Sequence, residues 1–455
     1  MISFLRDPGA RVKRLATTLY GYTSLYDFIL LYPVYALLFV DTGLSTAEIS
    51  SLFVIWSVTS LVLEVPSGVW ADAVSRRLLL ALAPLLAAAG YALWIIAPSY
   101  WAFAAGFVLW GAAGALQSGA LEALVYTELE RLGAADRYAT IMGRGHAFGT
   151  GATMVATAAA APALAVGGYP LLGAASVLAC LLCAAVATTF PEHRVKNPEE
   201  TPPRGYAAIL REGVREMRAS RSVRRAVLLL AVVWAVWGSL EEYVALLAAA
   251  TGVAAYAVPL LVLLVSAGVA LGGVLAATGR HLTDRAFAGI LAAGALALGA
   301  GAISGVPAGF AAIAVAFCLF QMATVLAGAR LQDRITGPAR ATVTSLAGLG
   351  TEVTGILVYG GYAAASTVAG HGVIFAVFAV PYLVLALALT RGAGPRSGGE
   401  RRRAAGPGPR LPAIHSRDRA RRGRASDHHS DGPRAARLAP FSARWDTWVS
   451  PETLT

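Results

Sequence analysis

Six acidic side chains lie inside long apolar stretches: Asp27, Glu64, Glu122, Glu241, Glu242 and Glu352. A charge at the centre of a bilayer costs about 2.5–3.5 kcal/mol on insertion scales, so each of these acids is a functional candidate. Few bases share their depth, Arg144 and His146 being the candidates. Carboxyls that take up and release a proton as they pass between dry and wet surroundings are what proton coupling requires. Helical spacing sorts the six. Tyr20, Thr23, Ser24, Asp27 and Leu31 recur at i, i+3, i+4, i+7 and i+11, which puts Asp27 on a polar stripe with an aromatic ring. Gly111, Gly114, Ser118, Glu122 and Tyr126 form a similar stripe, and Trp234, Trp237 and Glu241 share one face. Asp27, Glu122 and Glu241 are therefore the expected proton-responsive acids; for Asp27 and Glu122 a plain hydrogen bond between helices is the simpler alternative. Glu242, adjacent to Glu241, must face elsewhere and reads as structural. Glu64 lies two residues before Pro66 and eight before Asp72, roughly 12 Å from the following loop. It belongs to the inner helix interface rather than to a cavity, and Glu352 fits either place.

The elements that must hold these acids are membrane helices. The 455 residues are 57% hydrophobic and 14% charged, against roughly 25% charged in a soluble domain, which excludes an ordinary soluble enzyme. Apolar segments fall at 15–40, 47–70, 78–97, 101–127, 139–161 and 169–190, then at 225–250, 255–278, 285–304, 307–329, 341–365 and 370–390. The expected fold is an all-α polytopic membrane protein of twelve transmembrane helices in two groups of six. Its parts are an N-terminal arm (1–14), a first bundle (15–190), a linker with an amphipathic helix (191–224), a second bundle (225–390) and a basic tail (391–455).

The net charge of +11 does not call for nucleic acid. The tail carries 14 Arg against six acids, +8 of the total, in a Gly/Pro/Ala/Arg-rich composition expected to be disordered and nonessential. Elsewhere Lys and Arg keep to the N-terminal arm, the even-numbered connections, the linker and adjoining helix ends, and leave the odd-numbered connections bare. That asymmetry places both termini in the cytoplasm. The excess of Arg over Lys fits a GC-rich bacterial coding sequence, hence a multi-pass protein of the inner (plasma) membrane, read here as a monomer. Neither lysine, Lys13 or Lys196, stands in a phosphate-binding loop, so no ATP-driven step is encoded by that route. Cys180, Cys183 and Cys318 sit in apolar runs as small core residues. No metal site, cofactor or cleaved signal peptide is expected.

The halves look like repeats. Gly68-x-x-x-Asp72-x-x-x-Arg76-Arg77 has a worn counterpart at Gly273-x-x-x-Ala277-x-x-Arg280, Gln117 corresponds to Gln321, and Arg137-Tyr-Ala-Thr140 to Arg340-Ala-Thr342, all at offsets near 204. Parallel duplication of a six-helix unit is an architecture of transporters. Within the first copy, Gly68 lets two helices approach closely. Asp72, at a helix end, can bond Arg76 and Arg77 or a neighbouring helix N-terminus as a two-state latch.

This loop resembles the G-x-x-x-D-x-x-x-R-[KR] motif of the major facilitator superfamily. Together with Glu64-Val-Pro66-Ser67-Gly68, Gly43-Leu-Ser45 and Ser118-Gly-Ala-Leu-Glu122-Ala-Leu-Val-Tyr126 it looks like a prokaryotic drug-exporter-like branch, over about residues 14–390. The resemblance implies a major facilitator fold, with the latch Gly68, Asp72, Arg76 and Arg77 holding the cytoplasmic side closed. It also implies that spans one, four, seven and ten line a central cavity; these carry the stripes above, and span ten adds Gln321. Tyr20, Tyr126, Trp234, Trp237 and Gln321 are then the expected cavity wall, and aromatic walls with one or two acids suit amphipathic or cationic organic molecules. In span five Gly145-x-x-x-Gly149-Thr150-Gly151 resembles an exporter motif with Thr150 in place of its proline. The expected function is proton-coupled export of amphipathic, drug-like molecules by alternating access, not enzymatic chemistry. Proton symport or facilitated entry of a small nutrient is the alternative within transport. A polytopic membrane enzyme or a sensor is the alternative of another class, and the short outer connections leave little room for the former.

Overall fold

A computed structural model describes residues 8–193, 221–279, 281–334 and 340–392. The body of the linker, including most of its expected amphipathic helix, and all of the tail beyond residue 392 lie outside the described residues. Among the described residues the chain is helical throughout. The first crossing is made of α1 (Pro8–Asp27) and α2 (Tyr35–Asp41), interrupted over 28–34. Then come α3 (Thr46–Ala73), α4 (Arg76–Ile96), α5 (Tyr100–Arg131) and α6 (Tyr138–Ala187). A straight helix of 50 residues would be about 75 Å long, far more than a bilayer. In α6 the chain breaks helical geometry at Gly168, whose φ of 58° a side chain would resist, so α6 supplies the fifth and sixth crossings.

The second half begins with α7 (Arg221–Glu241) and α8 (Val244–Ala250), again one crossing interrupted, here at 242–243. α9 (Val258–Ala276), α10 (Asp284–Ile303), α11 (Phe310–Arg334), α12 (Arg340–Ala365) and α13 (His371–Gly392) complete twelve crossings. Nine stretches of the described residues are apolar and long enough to span a membrane, one of them the doubled α6. The two crossings that miss this mark are the split first one and α12, which carries Thr344, Thr351, Glu352 and Thr354.

Hydroxyl residues start several helices where the loops are short. Ser45 caps α3 reciprocally with Glu48, and Ser75, Ser99 and Thr283 accept backbone N–H bonds at the starts of α4, α5 and α10. Packing then repeats with a period of six crossings. In the first half α5 packs on α3 and α4, α1 on α6, and α4 on α6; in the second α11 packs on α9 and α10, α12 on α7, and α10 on α13. The main contacts between halves, α3 with α12 and α6 with α9, exchange under the same rule. Small residues set the close approaches: a Cβ on Gly268 or Gly272 of α9 would run into the backbone carbonyls of Ala314 and Cys318 on α11.

Candidate functional site

The two interrupted crossings place acids at matching points. α1 ends on Asp27 and α7 on Glu241, each roughly 30 Å along the axis from the start of its helix. Each carboxylate thus stands at the negative end of the inner helix of an interrupted crossing, a place that attracts a cation.

Asp27 is half-buried against α6. Its carboxylate occupies the space that a side chain on Gly149 would need, and Gly145, one turn earlier, admits Leu19 and Tyr20. Gly145-x-x-x-Gly149 is thus the seat of the first crossing. The Thr153 hydroxyl donates to the Asp27 carbonyl at 3.3 Å, and the amide of Ile29 donates to it at 3.0 Å, holding the end of α1 as the helix stops. Tyr20 stacks on Phe148 with ring centroids 4.9 Å apart. Glu241 is exposed at the end of α7. Its carboxylate makes no hydrogen bond among the described residues, whereas every other acid of the six is engaged.

Glu122 lies lower, roughly 13 Å from the Arg131 end of α5. It is half-buried and within electrostatic reach of Tyr138, whose ring meets Tyr126 edge-on at 5.5 Å; Tyr126 is 37% exposed. The side-chain positions of Gly114 and Gly119 on the same helix face open space. Glu122 thus lies in the part of α5 nearer the even-numbered connections, while Asp27 and Glu241 each lie where the inner segment of a crossing ends.

The second-half wall is divided. Trp237 lies within the half: its indole donates to Thr324 at 3.1 Å and its amide to the Tyr382 hydroxyl at 2.9 Å, which itself donates to the Val233 carbonyl. Trp234 is half-exposed and meets Trp237 edge-on at 6.4 Å. Gln321, one turn before Thr324, is 4% exposed, and its side-chain carbonyl has no hydrogen-bond partner among the described residues. A buried amide oxygen left without a donor is uncommon and is an available acceptor.

At the end formed by the odd-numbered connections the halves meet. The Tyr35 hydroxyl, at the start of α2, donates to the Glu242 carboxylate, and the Tyr243 hydroxyl donates to Ser50 on α3 at 2.7 Å. Phe53 of α3 packs on Tyr243 at 5.3 Å and on Tyr359 of α12 at 5.4 Å, and Tyr243 stacks on Tyr362 at 3.6 Å. Tyr362 in turn shares a 2.7 Å hydrogen bond with His371. This end is closed by an aromatic plug with polar pins through it.

At the opposite end the described polar contacts include strong ones within each half. Arg76 donates from its guanidinium to the Ala123 carbonyl and the Thr127 hydroxyl of α5, at 3.0 and 2.9 Å, while its amide donates to Glu192 at 2.7 Å. Glu128, only 2% exposed, accepts from Arg131 at 3.0 Å and from the His193 amide at 2.8 Å. Arg77 is exposed; Gly68 and Asp72 lie on α3, and their side chains are outside the described residues. Glu64 and Glu352 are half-buried on α3 and α12, one of the two pairs of helices that carry the main contacts between the halves. Glu128, Arg131, Glu192 and His193 escaped the sequence reading, although the Glu128–Arg131 spacing of three was a usable signal. In the second half Arg330 bonds Asp284 at 3.1 Å and covers the Phe287 ring at 4.5 Å. Among the described residues no cluster of three or more His, Cys, Asp or Glu is placed to hold a metal ion.

No curated protein sequence matches the chain. Solved structures do: the nucleoside transporter NupG, at 13% identity and a TM-score of 0.66, covers 85% of this chain and 100% of its own. A bacterial homolog of the human lysosomal transporter Spinster, in an inward-facing and unoccupied conformation, gives 16% and 0.62 over 85% of this chain and 98% of its own. A D-xylose-proton symporter gives 15% and 0.58 over 83% and 96%. At such identities these neighbours establish a shared fold. The family model of the Major Facilitator Superfamily matches residues 19–358, from the first crossing to the eleventh, and this chain belongs to that superfamily of transporters.

Proposed function

We propose that the protein is a proton-coupled exporter of amphipathic or cationic organic molecules in a bacterial plasma membrane, working by alternating access with both termini in the cytoplasm. The observation that carries this reading is the pair Asp27 and Glu241, each closing the inner segment of an interrupted crossing, with the Glu241 carboxylate exposed and making no hydrogen bond among the described residues. In this scheme Asp27 and Glu241 exchange protons near mid-depth and Glu122 relays or releases them lower down. Tyr20, Tyr126, Trp234 and Gln321 form the wall, with Trp237 backing Trp234. Aromatic faces and carboxylates together favour an apolar cation. In the orientation that the basic residues favour, the pinned odd-numbered end is the closure facing away from the cytoplasm. The arginine latch governs the other closure, with Gly68 and Asp72 as its expected partners of Arg76 and Arg77, and Glu64 and Glu352 at the helix interface.

A strain lacking the chain tests direction and substrate class together. Export predicts increased sensitivity to amphipathic cations and their retention in the cell; unchanged sensitivity and retention across such compounds would remove the reading. Proton symport of a small nutrient is the second reading, supported by neighbours whose names include a nucleoside transporter and a D-xylose-proton symporter. It predicts instead impaired accumulation of a nutrient by intact cells.

A further inference from the structure

Glu242 is the one membrane acid that the coupling scheme leaves without a task. The break between α7 and α8 separates it from Glu241: Glu241 is exposed at the end of α7, while the Glu242 carboxylate crosses to the other half and accepts the Tyr35 hydroxyl. The next residue, Tyr243, pins the same break to Ser50. Two consecutive residues at one discontinuity thus bind two different helices of the opposite half. Tyr35 itself opens α2, immediately after the discontinuity of the first crossing, so the breaks of both halves meet in a single hydrogen bond.

From this geometry we infer that Glu242 is a proton-operated gate residue: its carboxylate, held by Tyr35, keeps the odd-numbered end shut, and protonation loosens that hold. A hydrogen bond to an ionised acceptor is roughly twice as strong as one between neutral groups, so neutralising Glu242 weakens a contact that must break for this end to open. The titratable groups around it are Tyr35 from α2, Tyr359, Tyr362 and Glu352 from α12, His371 and Tyr382 from α13, and Glu241 and Tyr243 on its own segment. α9, which also packs on α8, carries no titratable side chain. None of these groups is a Lys or Arg, and the Tyr35 hydroxyl is the donor on which the carboxylate depends. The proposal borrows from the transport reading only the idea that this end must open in a cycle; the state of the gate is read without substrate.

The test uses the full-length protein with a reporter cysteine, Gly114→Cys, at a position on α5 that faces open space. Labelling by a membrane-impermeant maleimide is followed from the odd-numbered side in intact cells and from the other side in everted vesicles. With every rate divided by that of a free thiol at the same pH, which removes the slower reaction of a protonated thiol with maleimide, the parent is expected to label slowly from the odd-numbered side and faster as that side is acidified. Glu242→Gln and Tyr35→Phe are each expected to raise labelling there roughly fivefold at neutral pH, the net worth of one hydrogen bond, and to flatten its pH dependence. Glu242→Asp is expected to retain part of that dependence. Unchanged labelling in both Glu242→Gln and Tyr35→Phe, or a pH dependence that survives Glu242→Gln, overturns the inference. Everted-side labelling at the parent rate shows that a variant is folded; if Glu242→Gln fails this control, Tyr35→Phe, which keeps the ring, decides. Absence of gradient-driven transport by the parent, with the labelling results as expected, would sink the coupling scheme and leave the gate; gradient-driven transport by the parent with unchanged labelling in both variants would do the opposite.

Discussion

Gly149→Ala isolates the position of Asp27 from its identity. The added methyl meets the Asp27 carboxylate oxygen well inside van der Waals contact, while its other neighbours, the carboxyl carbon at 3.4 Å and the Thr23 carbonyl at 3.5 Å, are tolerable. The strain is thus confined to the free end of one side chain, which escapes by leaving its rotamer at a cost of about 0.5–1.5 kcal/mol. Against this, Ala replacing Gly inside a helix recovers about 0.5–1 kcal/mol, so net stability changes little. The carboxylate, however, moves by roughly 1 Å, a displacement that can cost on the order of 100-fold where geometry is critical. Gly151→Ala is the matched control: two residues on, its methyl meets nothing within 4 Å, so it keeps the helix gain without the displacement. The assay pairs thermal unfolding in detergent with dye accumulation in everted vesicles under an imposed pH gradient. Both variants are expected to unfold within about 1 kcal/mol of the parent. Coupled transport is expected to fall by an order of magnitude or more in Gly149→Ala alone. Equal transport by the two variants would refute the assignment of Asp27 to the mechanism.

Other substitutions separate coupling from scaffold. Glu241→Gln should abolish gradient-driven transport while membrane insertion, read by fractionation, stays intact, because the carboxylate has no hydrogen bond among the described residues to lose. Trp237→Phe should lower stability by about 1 kcal/mol through loss of the bond to Thr324 and change apparent substrate affinity less than Trp234→Ala does, as measured by unfolding and by concentration-dependent uptake. Gly272→Ala should cost about 1–3 kcal/mol in a thermal melt, since the carbonyl of Cys318 cannot yield, whereas Gly289→Ala, facing open space, should not destabilise.

The crossings were legible in the sequence because bilayer thickness imposes length and apolarity on each of them, and the bare odd-numbered connections fixed their pairing. The stripes around Asp27 and Glu122 were legible because helical periodicity carries a polar face. The interruption at 28–34 was legible in part, since it holds Pro33, which lacks an N–H and crowds the carbonyl four residues back, and there the Ser176 hydroxyl takes up the Leu31 amide; that at 242–243 was not, because it holds no glycine or proline and the side chains of Glu242 and Tyr243 instead reach Tyr35 and Ser50 of the other half. The role of Glu242 was hidden for the same reason, since periodicity continued through the break gives it the wrong face. Trp237 shows the converse limit: it shares a helix face with Trp234, yet its indole donates to Thr324 and its backbone amide to Tyr382 inside the half, and spacing alone does not distinguish the two surroundings.

The central claim, that carboxyls at the two helix breaks couple proton entry to export, is tested most directly in everted vesicles made acid inside. The account predicts that the full-length protein accumulates an amphipathic cationic dye only while the gradient is held, and that Asp27→Asn, inserted to the same level, does not. Absence of gradient-dependent accumulation by the correctly inserted parent for every amphipathic dye tested, or full accumulation by Asp27→Asn, would contradict it.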